Sequence, residues 1–186
     1  MTASLAAEEV TLDADSGADA AVAQLYAAHW RRLVRLAVLL LHDQGAAEEV
    51  VQDAFVAMHG RWRSLRDPDK ALAYLRQTVV NRSRSALRHR GVVERYVARQ
   101  SGALPVADAA DGASLAADRR SAVLDALRTL PTRQREVLAL RHYLELSEVE
   151  IAEALGISRG SVKAHASRGS AALRELLADH LSEGNL

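Results

Sequence analysis

The stretch from Leu146 to Leu173, LSEVEIAEALGISRGSVKAHASRGSAAL, leaves the backbone few choices. Ser147 and Glu150 stand three apart. At that spacing a serine hydroxyl and a glutamate carboxylate cap one another's backbone N–H groups at a helix start. Val149, Ile151, Ala152 and Leu155 supply the apolar positions of a short helix. Gly156 ends it, because glycine enters the left-handed conformation without steric cost. Ile157 fills the turn, and Ser158 is placed to cap a second helix carrying Lys163, His165 and Arg168. Two short helices joined in this way predict a helix-turn-helix, whose second helix lies in the DNA major groove and offers its N-terminal half to base edges.

Periodicity divides that second helix into faces. Val162, Ala166, Gly169 and Leu173 recur at three- and four-residue spacing and predict a buried stripe. Lys163, Ala164, Ser167 and Arg168 fall on the neighbouring surface, where Lys and Arg bond guanine and Ala touches a thymine methyl. Arg159 and Ser161, at the helix start, are placed to hold phosphate with the free backbone N–H groups there.

The rest of the chain is predicted to be helical. Ala and Leu dominate, only three prolines interrupt, and aromatics make up 4% of 186 residues. A first helix is expected over Asp19–Leu41 and a second over Ala46–Trp62, with the stripe Val50, Val51, Ala54, Phe55 and Met58. A third is expected to start at Asp67-Pro68 and stop near Gly91. Two further helices are expected over 117–129 and Pro131–Leu144 ahead of the helix-turn-helix. The fold class is therefore all-α: two small helical domains joined by a flexible linker. The boundaries read as a disordered acidic N-terminus over 1–18, a first domain over 19–95, a Gly, Pro, Ser and Asp-bearing linker over 96–115, a second domain over 116–180 and a tail over 181–186.

Charge is zero overall but unevenly spread. Residues 1–60 carry nine acids and three bases, 61–100 eleven bases and three acids, and 101–186 twelve acids and ten bases. A basic centre between acidic flanks suits a phosphate-binding surface. On the third helix Arg76, Gln77, Asn81, Arg84, Ser85 and Arg88 gather, with Asn81, Arg84 and Arg88 on one face. On the second helix Glu49, Gln52 and Asp53 lie off the apolar stripe and predict an exposed acidic face, which the residues alone fit equally to docking a basic protein and to plain solvated surface.

No catalytic or metal constellation is present in the pattern. There are no cysteines, which excludes disulfides and zinc–thiolate sites and suits a reducing compartment. His29, His42, His59, His89, His142, His165 and His180 are scattered. The expectation is no enzyme, no cofactor and no metal. The N-terminus lacks a signal-peptide pattern, and the longest apolar run, Leu36–Leu41, is too short to span a membrane, so a cytoplasmic protein is expected.

Four pieces in order carry a resemblance: LYAAHWRRLVRLA, AEEVVQDAFVAM, AYLRQTVVNRSRSALRHR, and LRTLPTRQREVLALRHYLELSEVEIAEALGISRGSVKAHASRGSAALREL. From about Ala20 to Leu177 the chain resembles the extracytoplasmic-function (ECF) sigma factors of bacterial RNA polymerase, in particular the actinobacterial sigma-E-like group. The resemblance implies a promoter-specificity subunit with core RNA polymerase and promoter DNA as partners, and allows for an anti-sigma factor. It implies that Gln52 and Asp53 meet the polymerase clamp, and that the surface around Asn81 engages the downstream (−10) element and captures a flipped base. The C-terminal domain would then bind the upstream (−35) element through Lys163, Ala164, Ser167 and Arg168. Two departures stand out: Ser85 replaces the Asp usual four residues after the Asn, and Ser161 replaces a Thr. The competing readings are a stand-alone helix-turn-helix regulator and an interaction protein. A response regulator would need alternating strands and helices in residues 1–100, and no period-two pattern is found there.

Overall fold

The computed structural model describes residues 18–65, 67–101 and 115–178. Seven α-helices order these residues: α1 (Ala18–Leu41), α2 (Gln44–Arg61), α3 (Ala71–Ser101), α4 (Leu115–Thr129), α5 (Thr132–Leu138), α6 (Glu148–Leu155) and α7 (Arg159–Leu176). The acidic N-terminus, residues 102–114 of the expected linker and the tail lie outside the described residues.

Helix α1 ends at Leu41, where His42 takes a left-handed φ of 56° and turns the chain. Asp43 then caps α2: its carboxylate accepts from the Ala46 N–H at 2.9 Å. That bond, helped by the pull of Arg90 and opposed by the cost of desolvation, holds the Asp43 carboxyl below its ordinary pKa. Leu33, Leu36 and Leu40 of α1 meet Val51, Ala54, Phe55 and Met58 of α2 and Leu75, Val79 and Val80 of α3, all buried. Tyr26 stacks on Trp30 with centroids 4.7 Å apart, and Phe55 approaches Tyr26 edge-on at 5.1 Å.

Two expectations for α3 need correction. Asp67-Pro68 opens a 3₁₀ turn over Pro68–Lys70, with the Asp67 carboxylate accepting from Asp69, and the α-helix proper begins at Ala71. The helix also does not stop near Gly91; it runs to Ser101, into the stretch assigned to the linker. A glycine typically ends a helix by adopting positive φ, and among the described glycines Gly156 alone does so. Gly91 stays right-handed, at a helix-interior cost of about 1 kcal/mol.

In the C-terminal half, α5 is followed by a π-helical turn over Ala139–Tyr143 in place of a continuous helix to Leu144. The Leu144 N–H reaches Ala139 O at 3.3 Å, and Glu145 closes the turn at φ 57°. Helix α7 packs on α5 through its smallest residue: a Cβ on Gly169 would stand 3.1 Å from Leu138 Cδ1 and 3.2 Å from Gln134 Cβ. The expected stripe of Val162, Ala166 and Gly169 is buried, with Leu173 partly so.

The two halves share one core. Val137, Leu140, Leu144 and Ile151 join the same buried cluster as the α1–α3 residues. Arg32 Nη2 donates to Leu144 O at 3.3 Å. Arg135, buried, donates to Leu40 O at 2.8 Å and, within its own half, to Arg128 O and Leu130 O, each at 3.0 Å. That packing of one domain against the other was not legible in the sequence.

Candidate nucleic-acid interface

Helix α7 owes its position to two caps and a turn. The Ser147 hydroxyl accepts from the Glu150 N–H at 3.3 Å, and the Glu150 carboxylate accepts from the Ser147 N–H at 2.8 Å, completing the expected capping box. The Ser147 hydroxyl, which also donates to that carboxylate, holds Glu150 below its ordinary pKa; the backbone N–H adds to the effect. Gly156 closes α6 at φ 64°. Ser158 caps α7 by accepting from Ser161 N–H at 3.1 Å. These bonds fix the angle between α6 and α7 while the buried stripe anchors α7 from behind.

The outward face of α7 carries the expected residues. Lys163, Ser167, Arg159 and Arg168 are exposed, and Ala164 is half-buried. Ser161 is half-buried beside Ser158, its hydroxyl 2.9 Å from the Ser158 hydroxyl, so it serves the cap as well as the helix start. Lys163 Nζ lies 3.8 Å from Glu148 Oε2, and Arg141 Nη1 lies 3.9 Å from Glu148 Oε1. An open depression beside this face is lined by Arg141, His142, Lys163, Ala166, Ser167 and Ser170. Arg141, His142, Ser170 and Glu148 were missed in the sequence. They come from the π-helical turn, the far end of α7 and the start of α6, which only the fold brings together. With cationic and hydroxyl groups around a concave floor, the depression suits a backbone phosphate.

The basic face of α3 is arranged differently. Asn81, Gln77, Ser85 and Arg88 are exposed. Ser85 donates to Asn81 O at 3.2 Å, and Arg88 donates to the Ser85 hydroxyl at 3.1 Å. Arg76 is half-buried, and burial lowers its pKa from the ordinary guanidinium value, against the opposing pull of Glu150. Three arginines of this helix are bound to acids of other elements: Arg82 to Asp53 of α2 at 2.6 Å, Arg90 to Asp43 at 2.8 Å, and Arg84 to Glu136 of α5. The Arg84–Glu136 pair is two-pronged, at 2.5 and 2.9 Å, and the third Arg84 nitrogen donates to Asn81 Oδ1 at 3.0 Å. Arg84 therefore does not stand free on the Asn81 face as expected. Glu136, only 1% exposed, was not singled out in the sequence, since one Glu in TRQREVL gives no sign of its distant partner.

On α2, Glu49, Gln52 and Asp53 are exposed, next to Val56, which is 66% exposed. Asp53 reaches Arg82, so the acidic face of α2 and the basic face of α3 adjoin. Among the described residues no helix is long and apolar enough to cross a membrane, and no group of three His, Cys, Asp or Glu is placed to hold a metal.

Comparison with known proteins gives a consistent picture. Residues 25–93 match the family description sigma-70 region 2, and residues 120–173 match sigma-70, region 4. The chain is 37% identical to the RNA polymerase sigma-E factor of Streptomyces avermitilis over 145 residues, 78% of each chain. It is 32% identical to the RNA polymerase sigma factor CarQ of Myxococcus xanthus, over 88% of this chain and 92% of that one. It is 31% identical to the ECF RNA polymerase sigma factor SigM of Mycobacterium tuberculosis, over 83% and 76%. Among solved structures, the sigma factor RpoE from Bartonella quintana, crystallised with the anti-sigma factor NepR, superposes with a TM-score of 0.70 at 26% identity, over 84% of this chain and 96% of that one. CnrH in complex with the cytosolic domain of CnrY gives 0.64 at 26% identity, over 87% and 95%.

Proposed function

The chain belongs to the RNA polymerase sigma factors, in their extracytoplasmic-function group, and from that premise we propose how its named residues divide the work of a promoter-specificity subunit. Helix α7 reads the upstream element as duplex. Lys163 and Arg168 bond base edges, Ala164 and Ser167 let the helix approach closely, and Arg159, Ser161 and the depression near Arg141 hold phosphates. Helix α3 serves the downstream element, with Asn81 meeting a displaced base and Arg76, Gln77, Arg84, Ser85 and Arg88 following the strand beside it. Glu49, Gln52 and Asp53 dock core polymerase.

The observation that carries this reading is the presence of two separate polar, cation-bearing faces, each on its own half and each backed by a packed helical core. A stand-alone repressor uses the α7 face but leaves the α3 face without a task. The subunit carries out no reaction of its own; polymerase supplies the chemistry. Its site of action is the cytoplasm, where polymerase works. The sigma factor RpoE bound to the anti-sigma factor NepR, and CnrH bound to the cytosolic domain of CnrY, support a protein inhibitor as a further partner.

Run-off transcription on a genomic fragment library, with core polymerase alone and with this chain added, tests the proposal. Discrete new transcripts sharing paired upstream and downstream motifs are expected. No new transcripts, together with tight duplex binding by the chain alone, would favour the repressor. Binding to promoter DNA is expected to weaken steeply with salt, as phosphate contacts release counterions.

A further inference from the structure

The Arg84–Glu136 pair joins the two halves at a point where one of them is proposed to hold DNA. Both carboxylate oxygens of Glu136 are engaged: Oε1 and Oε2 by Arg84, and Oε2 also by Arg133 at 3.3 Å. The glutamate is almost wholly buried, and the Arg84 side chain is only 20% exposed. A guanidinium gripped in this two-pronged way presents the same fork that would grip a phosphate. Arg84 also fastens the Asn81 side-chain oxygen, so one carboxylate from α5 occupies two neighbouring residues of the α3 face, Arg84 directly and Asn81 through it.

The contacts beside this pair run the same way. Arg135, the residue next to Glu136, donates to Leu40 O of α1, and Arg32 of α1 donates to Leu144 O. Helix α5 and the π-helical turn that follows it are thus held against α1 and α3 by three arginines, of which Arg84 alone belongs to the promoter-facing set. The neighbouring ion pairs of α3, Arg82–Asp53 and Arg90–Asp43, stay within the N-terminal half and would survive separation of the halves.

We propose that Glu136 acts as an internal stand-in for DNA phosphate: it occupies Arg84 in the closed free protein, so that packing of the C-terminal half on α3 and engagement of the downstream strand exclude one another. The inference rests on the assignment of α3 to the downstream strand. Opening replaces the Glu136 carboxylate at Arg84 by a strand phosphate and releases Asn81. Polymerase, by separating the halves, removes the competitor. The free chain is therefore a poor binder of downstream single-stranded DNA because its site is filled. A closed state favoured by a given factor lowers apparent affinity by that same factor.

The test uses the full chain, whose lack of cysteines permits site-specific labelling at Gly60→Cys and Glu175→Cys, positions exposed on α2 and α7. The free labelled protein is expected to show one high energy-transfer state. Glu136→Gln keeps the side-chain shape but removes the charge. It is expected to add a low-transfer state and to raise affinity for a downstream non-template single strand by about tenfold, with helical circular dichroism unchanged. Arg32→Gln, which loses one bond across the boundary and nothing of the α3 face, is expected to shift transfer in the same direction by less. Unchanged transfer and unchanged strand binding in Glu136→Gln would overturn the proposal. If Glu136→Gln fails to fold, an unmoved Arg32→Gln overturns it equally. Transcription by the wild-type chain with core polymerase is read separately, so failure of the promoter assignment shows there and not in the transfer measurement.

Discussion

The two cation-bearing faces of the molecule differ in what they touch. On α7, Lys163 has one carboxylate 3.8 Å away, Glu148, and Arg168 is near the His165 ring, at 3.5 Å. On α3, Arg82, Arg84 and Arg90 are each bound to an acid from another element at closer range. Both helices were basic in the sequence, α3 the more so. Basic residues serve two ends: on the proposed reading those on α7 meet a ligand, while three arginines of α3, Arg82, Arg84 and Arg90, tie the fold together. Exposed ion pairs of the Arg82–Asp53 kind contribute little, about 0–1 kcal/mol, so they leave α3 available to DNA once a competing phosphate arrives. The Glu136 pair, buried, is the exception.

The largest effect expected from this contrast falls on α7. The double substitution Lys163→Ala with Arg168→Ala removes two base-directed cations, each worth about 1–3 kcal/mol. Upstream-element duplex binding by the holoenzyme, measured by filter retention, is expected to fall by at least about thirtyfold. A loss under fivefold would show that the face does not read DNA.

Next comes the seat of that face. In Gly169→Val the added methyls meet Leu138 and Gln134, whose atoms already stand 3.1 to 3.3 Å from an ideal Cβ. Overpacking of this kind costs about 1–3 kcal/mol, read as a lowered urea midpoint, with the α3 half less affected than the α7 half in hydrogen exchange. Removal of the α6 cap by Ser147→Ala is smaller, about 1 kcal/mol, and the same urea titration measures it. A loss near zero would mean that the box forms without holding α6.

The last effect, absent at neutral pH, concerns the boundary between the halves. Burial, followed by the fields of Arg135 and Arg128, lowers the pKa of His42 from 6.5 to about 4. Both its ring nitrogens are buried without a hydrogen-bond partner. The folded protein thus prefers the neutral ring. The stability this lends is fully present above pH 6.5 and is lost as pH falls toward 4, because the unfolded chain takes up the proton first. The loss is roughly 1–2 kcal/mol, reduced for the water that reaches the half-buried ring. His42→Asn, which tolerates the left-handed backbone, is expected to flatten the stability slope between pH 6.5 and 5. An unchanged slope would assign the pH dependence to the carboxylates.

How much of this the sequence revealed depends on how local the signal was. The capping box, the Gly156 turn, the stripe behind α7 and the Asp53-bearing face of α2 each rest on residues within one or two helical turns, and all stood where the spacing placed them. The end of α3 was misplaced, because Gly91 carries the letter of a helix stop without its conformation. The Glu136 partner of Arg84, the Asp43 partner of Arg90 and the Leu40 partner of Arg135 were invisible for a different reason. These contacts lie 47 to 95 residues apart along the chain, which no periodicity encodes.

The division of labour between the two faces is tested most directly in the transcribing holoenzyme, by assaying variants against promoters altered in one element at a time. Lys163→Ala with Arg168→Ala is expected to lose discrimination among upstream sequences while retaining it among downstream ones, and Asn81→Ala the reverse. Activity that falls equally on every promoter with either variant would contradict the assignment of the upstream element to α7 and the downstream element to α3.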